Sequence, residues 1–242
     1  MDQKNMTVQD HIQELRKRVI AVILFFVVAI VIALFFAEPV ILYLQRSGIA
    51  KDLQLHAFRI TDPLKIYIQM AFIIACVITL PFILYQLWAF VAPGLYEKER
   101  KITLSYIPVS IILFLAGILF SYFILFPFVL RFMGNLGEKM EINSVIGINE
   151  YFQFLFQLTI PFGFLFQMPV VIMFLTRLGI ISPALLVKIR KYAYFVLLII
   201  AALITPPDVF SLILVTLPLL FLYELSIWIS KISGKESEQS AG

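Results

Sequence analysis

Long uncharged apolar runs are the feature that most constrains this chain. Four such runs have 19 or more residues and occupy positions 19–37, 66–96, 102–130 and 151–176. About 20 helical residues, at a rise of about 1.5 Å each, cross a hydrocarbon core of roughly 30 Å. Only helices and closed barrels satisfy their backbone hydrogen bonds in lipid, and these runs lack the two-residue alternation of barrel strands. The sequence therefore predicts an all-α integral membrane protein.

The composition supports a membrane protein and argues against several other classes. Hydrophobic residues make up 62% of the chain and charged residues 14%, whereas soluble domains are about half apolar and about a quarter charged. The net charge of +4 does not indicate nucleic acid, because the basic residues form short clusters between apolar runs. Cys76 is the only cysteine, which excludes a disulfide framework or a cysteine metal site. We expect no cofactor, no metal and no nucleic-acid partner.

Two shorter uncharged runs, 192–207 and 209–223, are separated by the sequence Thr205-Pro206-Pro207-Asp208. The prolines remove backbone donors and disfavour helix, and the carboxylate would be costly in the middle of a membrane. The sequence therefore predicts a turn at the outer surface between two short helices, which gives six transmembrane helices in total. Arms of about 24 Å would be shorter than the hydrocarbon core, so the bilayer beside them should thin.

The distribution of Lys and Arg predicts the orientation. With the N-terminus inside and six spans, thirteen of the 19 basic residues fall in cytoplasmic segments, so both termini are predicted to be cytoplasmic. The chain then divides into a cytoplasmic amphipathic N-terminal segment (1–18), a six-helix membrane domain (19–230) and a polar cytoplasmic tail (231–242). We expect the last nine residues to be unstructured.

Carboxylates occur beside basic clusters at the predicted cytoplasmic face. Glu14 lies four residues before Arg18 on an amphipathic segment, which is typical of a surface ion pair. Glu99 lies in the charged segment 97–101, which has the composition of a solvated loop. Alternatively, Glu14 and Glu99 form an acidic recess for guanidinium groups, where bidentate bonds select Arg over Lys. Both interpretations remain open from the residues alone.

Two amides, Gln157 and Gln167, lie within the fourth apolar run, and Gln167 precedes Met168-Pro169. Polar groups in lipid usually face protein and often form hydrogen bonds across helices. They are expected either to hold helices of this chain together or to dock a separate helix.

Five motifs follow one another along nearly the whole chain. They are His11-Ile12-Gln13-Glu14-Leu15-Arg16-Lys17-Arg18, Tyr85-Gln86-Leu87-Trp88-Ala89-Phe90-Val91-Ala92-Pro93-Gly94-Leu95-Tyr96, Glu97-Lys98-Glu99-Arg100, Phe166-Gln167-Met168-Pro169-Val170 and Thr205-Pro206-Pro207-Asp208-Val209-Phe210. With these motifs in this order, the chain resembles the TatC family, the polytopic subunit of the twin-arginine protein translocase.

The resemblance implies a receptor of the bacterial cytoplasmic membrane rather than an enzyme. It implies that Glu14 and Glu99, aided by Arg16 and Phe90, receive the paired arginines of a signal peptide on a folded cargo protein. It further implies homo- and hetero-oligomers with single-span TatA/TatB-type subunits, export driven by the proton-motive force, and no nucleotide site. Membrane lipid is the remaining expected partner.

The resemblance also bears on three residues away from that site. It implies that Pro206 and Asp208, in the final hairpin, lie near the place where the single-span partners assemble. Many members of the family carry glutamate where this chain has Gln167, so a proton-carrying role there is in doubt, whereas docking through a hydrogen bond is compatible with an amide.

Two other function classes fit the sequence less well. A small-solute secondary transporter would need ionisable groups at the bilayer midplane between repeats, and none of the four long runs contains one. An intramembrane hydrolase would need an assembled set of catalytic groups, which no motif here supplies.

Overall fold

A computed structural model describes residues 8–91, 106–142 and 145–240 of the chain. Within those residues, five helical stretches are long and apolar enough to cross a membrane, which confirms a helical multi-pass membrane protein. They are Ile12–Arg46, Asp62–Phe90, Tyr106–Lys139, Ile148–Arg177 and Val209–Ile232.

The described residues form nine α-helices and one very small sheet. The helices are α1 (Val8–Arg46), α2 (Asp62–Val91), α3 (Tyr106–Phe120), α4 (Phe126–Lys139), α5 (Ile148–Leu165), α6 (Met168–Arg177), α7 (Pro183–Lys188), α8 (Arg190–Ile204) and α9 (Val209–Ser240). The remaining elements are a 3-10 turn (Gly48–Asp52), a π-helical turn between α3 and α4 (Ser121–Leu125), and the strands β1 (Leu55–His56) and β2 (Ile146–Gly147). The strands pair in parallel, with Leu55 opposite Ile146.

The chain forms two compact units. The first consists of residues 1–46 and 60–108, and the second of residues 47–59 and 109–242. Glu14, Arg16 and Phe90 fall in the first unit, whereas Gln167, Pro206 and Asp208 fall in the second.

Small residues let α1 and α2 pack closely in the first unit. Ala29, Ala33 and Ala37 recur every fourth residue on α1 and are buried, as are Ala71 and Ala75 on α2. Small side chains at helical spacing are typical of contacts between membrane helices, where van der Waals packing replaces the hydrophobic effect.

Polar and aromatic contacts fix the antiparallel register of these two helices. Tyr67 donates a hydrogen bond to the carbonyl oxygen of Leu34 at 2.6 Å. Further along, the rings of Phe25 and Phe82 stack with their centroids 4.5 Å apart.

The core of the second unit consists of buried side chains from five helices and the π-helical turn. Its members are Leu125, Phe162, Ile172, Leu186, Leu197, Ala201, Val215, Leu219, Leu222, Tyr223 and Ile227. Two glycines bring α3 and α5 close together beside it. A Cβ atom at Gly117 would lie 2.6 Å from the carbonyl oxygen of Phe162, and one at Gly163 would lie 2.8 Å from the ring of Phe114.

The predicted turn between the last two helices is confirmed. Helix α8 ends at Ile204 and α9 begins at Val209, so the interruption lies at Thr205-Pro206-Pro207-Asp208. Helix α8 has 15 residues and, at about 1.5 Å per residue, is shorter than a hydrocarbon core.

The prediction that the final helix is also short is wrong. Helix α9 has 32 residues and continues past Glu224 to Ser240, so the expectation of an unstructured end is also wrong up to that residue. Glu224 does not end the helix, because Arg190 and Tyr194 of α8 bind its carboxylate. Nη2 of Arg190 donates to Oε2 at 2.9 Å, and Nε lies within ion-pair distance of Oε1 at 2.8 Å.

Candidate functional site

Glu14 and Arg18 form an ion pair on one face of α1. The Arg18 guanidinium donates to Oε1 of Glu14 through both Nε, at 3.1 Å, and Nη2. Both side chains are about one-fifth exposed, at 22% for Glu14 and 23% for Arg18. The pair arises from the helical repeat, since residues four apart lie on the same face.

Arg18 also links α1 to the end of α2. Its Nη1 donates to Oε1 of Gln86 at 3.0 Å, and its Nη2 donates to the carbonyl oxygen of Ala89 at 3.0 Å. These bonds fix the end of α2 beside Glu14. Gln86 was not predicted as a site residue, although it is one of only two amides, with Gln69, in the apolar run 66–96.

The second carboxylate oxygen of Glu14 has no hydrogen-bond partner in the described part of the chain. Its Oε2 atom is buried, and no donor among the described residues reaches it. A buried acceptor without a hydrogen bond costs about 1–3 kcal/mol, and more when it carries charge. The site therefore has an unused anionic acceptor.

An apolar cavity of about 200 Å³ lies between α1 and α2 on the side of this ion pair. Phe90, which is half-buried, forms part of its wall together with Arg18 and Gln86. The other lining residues are Leu15, Val19, Val22, Ile23, Ile83 and Leu87.

The structure brings together some of the predicted site residues but not all. Glu14 and Phe90 belong to the same region, because Arg18 contacts the first and lines the cavity with the second. Arg16 is exposed and does not line the cavity. Glu99 lies outside the described residues.

Gln167 lies at the break between α5 and α6 and is buried. Its Nε2 donates to the carbonyl oxygen of Ser110 on α3 at 2.7 Å, while its buried Oε1 has no partner among the described residues. Gln157 donates to the carbonyl oxygen of Ile204 at 3.1 Å and so satisfies a free acceptor at the end of α8.

Asp208 and Pro206 shape the start of α9. Oδ1 of Asp208 accepts a hydrogen bond from the backbone N–H of Ser211 at 2.7 Å, the pattern of an N-terminal helix cap. The backbone N–H of Asp208 donates to the carbonyl oxygen of Pro206, also at 2.7 Å. Within residues 8–91, 106–142 and 145–240, no three His, Cys, Asp or Glu side chains are grouped so that they could hold a metal ion.

Comparisons with known proteins agree on one family. Residues 10–218 match the family model described as TatC, Sec-independent protein translocase protein. The Sec-independent protein translocase protein TatCy of Bacillus subtilis (strain 168) is 62% identical over 241 residues, which cover 100% of this chain and 95% of that protein. The TatC of Aquifex aeolicus (strain VF5) is 34% identical, covering 97% of this chain and 98% of that one.

A solved structure is similar as well. The crystal structure of the twin arginine translocase receptor TatC superposes with a TM-score of 0.81 at 36% identity, and covers 92% of this chain and 99% of that chain.

Proposed function

Since this chain belongs to the TatC family of Sec-independent protein translocase proteins, we propose that it is the receptor subunit that binds twin-arginine signal peptides at the cytoplasmic face. The proposal includes export of folded proteins across the bacterial cytoplasmic membrane, with single-span TatA/TatB-type subunits as partners and the proton-motive force as the driving force. In this proposal the chain binds the signal peptide and makes or breaks no covalent bond.

The unpartnered Oε2 of Glu14 is the observation that carries this proposal. Arg18 occupies Oε1 of Glu14, so Oε2 is left for an incoming guanidinium, which reaches this buried atom once the side chains that cover it move aside. A planar guanidinium offers several N–H donors in a fixed fork, whereas a lysine ammonium acts as a compact, strongly hydrated charge. The preference for arginine follows from this difference.

The apolar cavity supports the same proposal. A secretory signal peptide has a basic segment followed by about 7–15 apolar residues. Glu14 would bind the basic segment, and the cavity beside Phe90 would receive the first apolar side chains. We propose Glu99 as a second carboxylate and Arg16 as a nearby positioning residue on the exposed side of α1.

The test uses the purified chain and a fluorescent twin-arginine signal peptide. Glu14→Gln should weaken binding about tenfold or more, because charged hydrogen bonds contribute roughly 1.5–3 kcal/mol. Glu38→Gln is the matched control, since Glu38 is an exposed carboxylate on the same helix. A twin-lysine peptide should bind the wild-type protein poorly.

Two results would contradict this proposal. One is equal affinity of the wild-type protein for the arginine and lysine peptides. The other is unchanged peptide binding by Glu14→Gln, measured on a variant whose thermal unfolding matches that of the wild type.

We further propose that α8 is the sixth span and that both termini are cytoplasmic. Helix α8 is short, but it is joined to the long apolar helix α9 by a four-residue turn. Six crossings return the chain to its starting side, which agrees with the bias of Lys and Arg toward the inner segments.

We propose that Gln167, Pro206 and Asp208 mainly stabilise the fold of this chain. The hydrogen bonds of Gln167 to α3 and of Asp208 to α9 support them. Docking of a partner helix at Gln167 would use its unpartnered Oε1, which a donor reaches only if the break between α5 and α6 opens.

A further inference from the structure

A second cavity, of about 360 Å³, lies in the unit formed by residues 47–59 and 109–242. Its size falls within the range of about 300–1,000 Å³ that is usual for ligand pockets. It is distinct from the cavity beside Glu14, and none of the proposed receptor residues lines it. The lining residues are Gly48, Tyr122, Phe123, Phe126, Pro127, Arg131 and Tyr151.

The π-helical turn and the 3-10 turn form one side of this cavity. The hydroxyl of Tyr122, in the π-helical turn, lies 3.0 Å from Oγ of Ser47. If Ser47 donates in this pair, the Tyr122 O–H can donate to a ligand. Gly48 has φ of 59°, a left-handed backbone conformation that favours glycine, and it lies beside the Tyr122 hydroxyl.

Aromatic rings form a further part of the cavity wall. Phe126 and Tyr151 make an edge-to-face contact with ring centroids 5.2 Å apart, and both residues are buried. This contact joins α4 to α5 and holds the wall of the cavity in place.

Arg131 supplies a cation without an internal counter-charge. The structure gives its side chain no hydrogen bond or ion pair within residues 8–91, 106–142 and 145–240. Arg131 lies one helical turn beyond Pro127, so that both reach the cavity. Arg131 is exposed, and its guanidinium is available to pair with an anion at this mixed polar and apolar cavity.

The position of Arg131 along the chain places the cavity at the edge of the membrane. It is the first charged residue after the uncharged run 102–130. Phe123, Ile124 and Phe128, on the same helical stretch, are 63%, 54% and 43% exposed. Apolar side chains beside a cation at this depth match a lipid, whose phosphate lies at the surface and whose chains lie below it.

We propose that this cavity binds the phosphodiester head group of an anionic membrane lipid. The Arg131 guanidinium pairs with the phosphate oxygens, the Tyr122 hydroxyl donates to the head group, and the acyl chains lie along Phe123, Ile124 and Phe128. Free phosphate shares the head-group chemistry but makes no contact with the apolar side chains.

Native mass spectrometry of the purified full-length chain with phosphatidylglycerol tests this proposal. Arg131→Gln should retain about tenfold less lipid than the wild type, the effect of losing one charge-assisted hydrogen bond. Lys139→Gln removes the same charge from an exposed residue of the same helix that does not line the cavity, and should retain the lipid. Phosphatidylcholine should be retained less than phosphatidylglycerol, and inorganic phosphate should not displace the bound lipid.

Several results would overturn it. If Arg131→Gln retains as much phosphatidylglycerol as the wild type, the proposed site is wrong. If Lys139→Gln loses as much lipid as Arg131→Gln, the lipid binds through the overall surface charge and not at this cavity. Complete displacement by inorganic phosphate would indicate a soluble anion as the ligand. If Arg131→Gln does not fold, Tyr122→Phe decides, and undiminished retention by that variant counts against the site.

Discussion

The Glu14 site shows how much a helical repeat can predict at the scale of single residues. The spacing of four residues predicted the contact between Glu14 and Arg18, and that contact is present. The link from Arg18 to Gln86, 68 residues later, could not be predicted, because it depends on the register between α1 and α2. That register is set by packing and by contacts between the two helices, such as that of Tyr67 with Leu34.

A substitution at Gln167 can distinguish whether this residue stabilises the chain itself or docks a partner helix. Gln167→Leu removes the buried hydrogen bond to the carbonyl oxygen of Ser110. It is expected to lower the free energy of unfolding by about 1–3 kcal/mol, because nothing replaces that hydrogen bond. Thermal unfolding in detergent measures this loss. If Gln167 acts only within the chain, crosslinking to single-span partners should be unchanged in folded Gln167→Leu.

Gln157→Leu is the matched control for that experiment. Gln157 also donates to a backbone carbonyl in the same unit, so its replacement removes a comparable hydrogen bond. Loss of crosslinking in Gln167→Leu but not in Gln157→Leu, at equal stability, would favour docking at Gln167.

At the scale of helices, the contact between α3 and α5 depends on a missing side chain. Gly117→Ala should lower the free energy of unfolding by about 1–3 kcal/mol, since the new Cβ would lie 2.6 Å from a backbone oxygen that cannot rotate away. Thermal or denaturant unfolding measures the change.

Gly134→Ala provides the control for the effect of helix propensity. Gly134 lies within α4, and nothing lies within 4 Å of a Cβ built there. Its replacement should be neutral or stabilise by about 0.4–1 kcal/mol. Equal effects of the two substitutions would contradict the close packing of α3 against α5.

The ends of the helices were predicted correctly where neighbouring residues in the sequence determine them. Two prolines and a capping aspartate end one helix and begin the next, so the turn at 205–208 could be predicted from a few residues. The length of α9 could not, because Glu224 resembled the end of a span. Its partner Arg190 lies 34 residues earlier, and the proximity of the two residues follows from the hairpin itself.

The sheet of β1 and β2 was not predicted for a similar reason. Each strand has two residues, which is too short for any alternation in the sequence. The strands pair only because the chain brings positions 55 and 146 together.

At the scale of the whole molecule, the orientation can be tested with single cysteines. In a Cys76→Ala background, Lys139→Cys should react with a membrane-impermeant thiol reagent added to intact cells, and Lys188→Cys should not. Both lysines are exposed, and six spans place them on opposite sides of the membrane. Labelling of Lys188→Cys alone would contradict cytoplasmic termini.

The pair of Arg190 and Glu224 has a consequence for biogenesis. A charged side chain near the centre of a lone transmembrane helix raises the free energy of insertion by about 2.5–3.5 kcal/mol. Glu224 lies within the apolar stretch Val209–Ile232, and its neutralising cation is supplied by α8. Helices α8 and α9 should therefore move together from the insertion machinery into the lipid bilayer. Helix α9 on its own should insert into a membrane less efficiently than the α8–α9 hairpin.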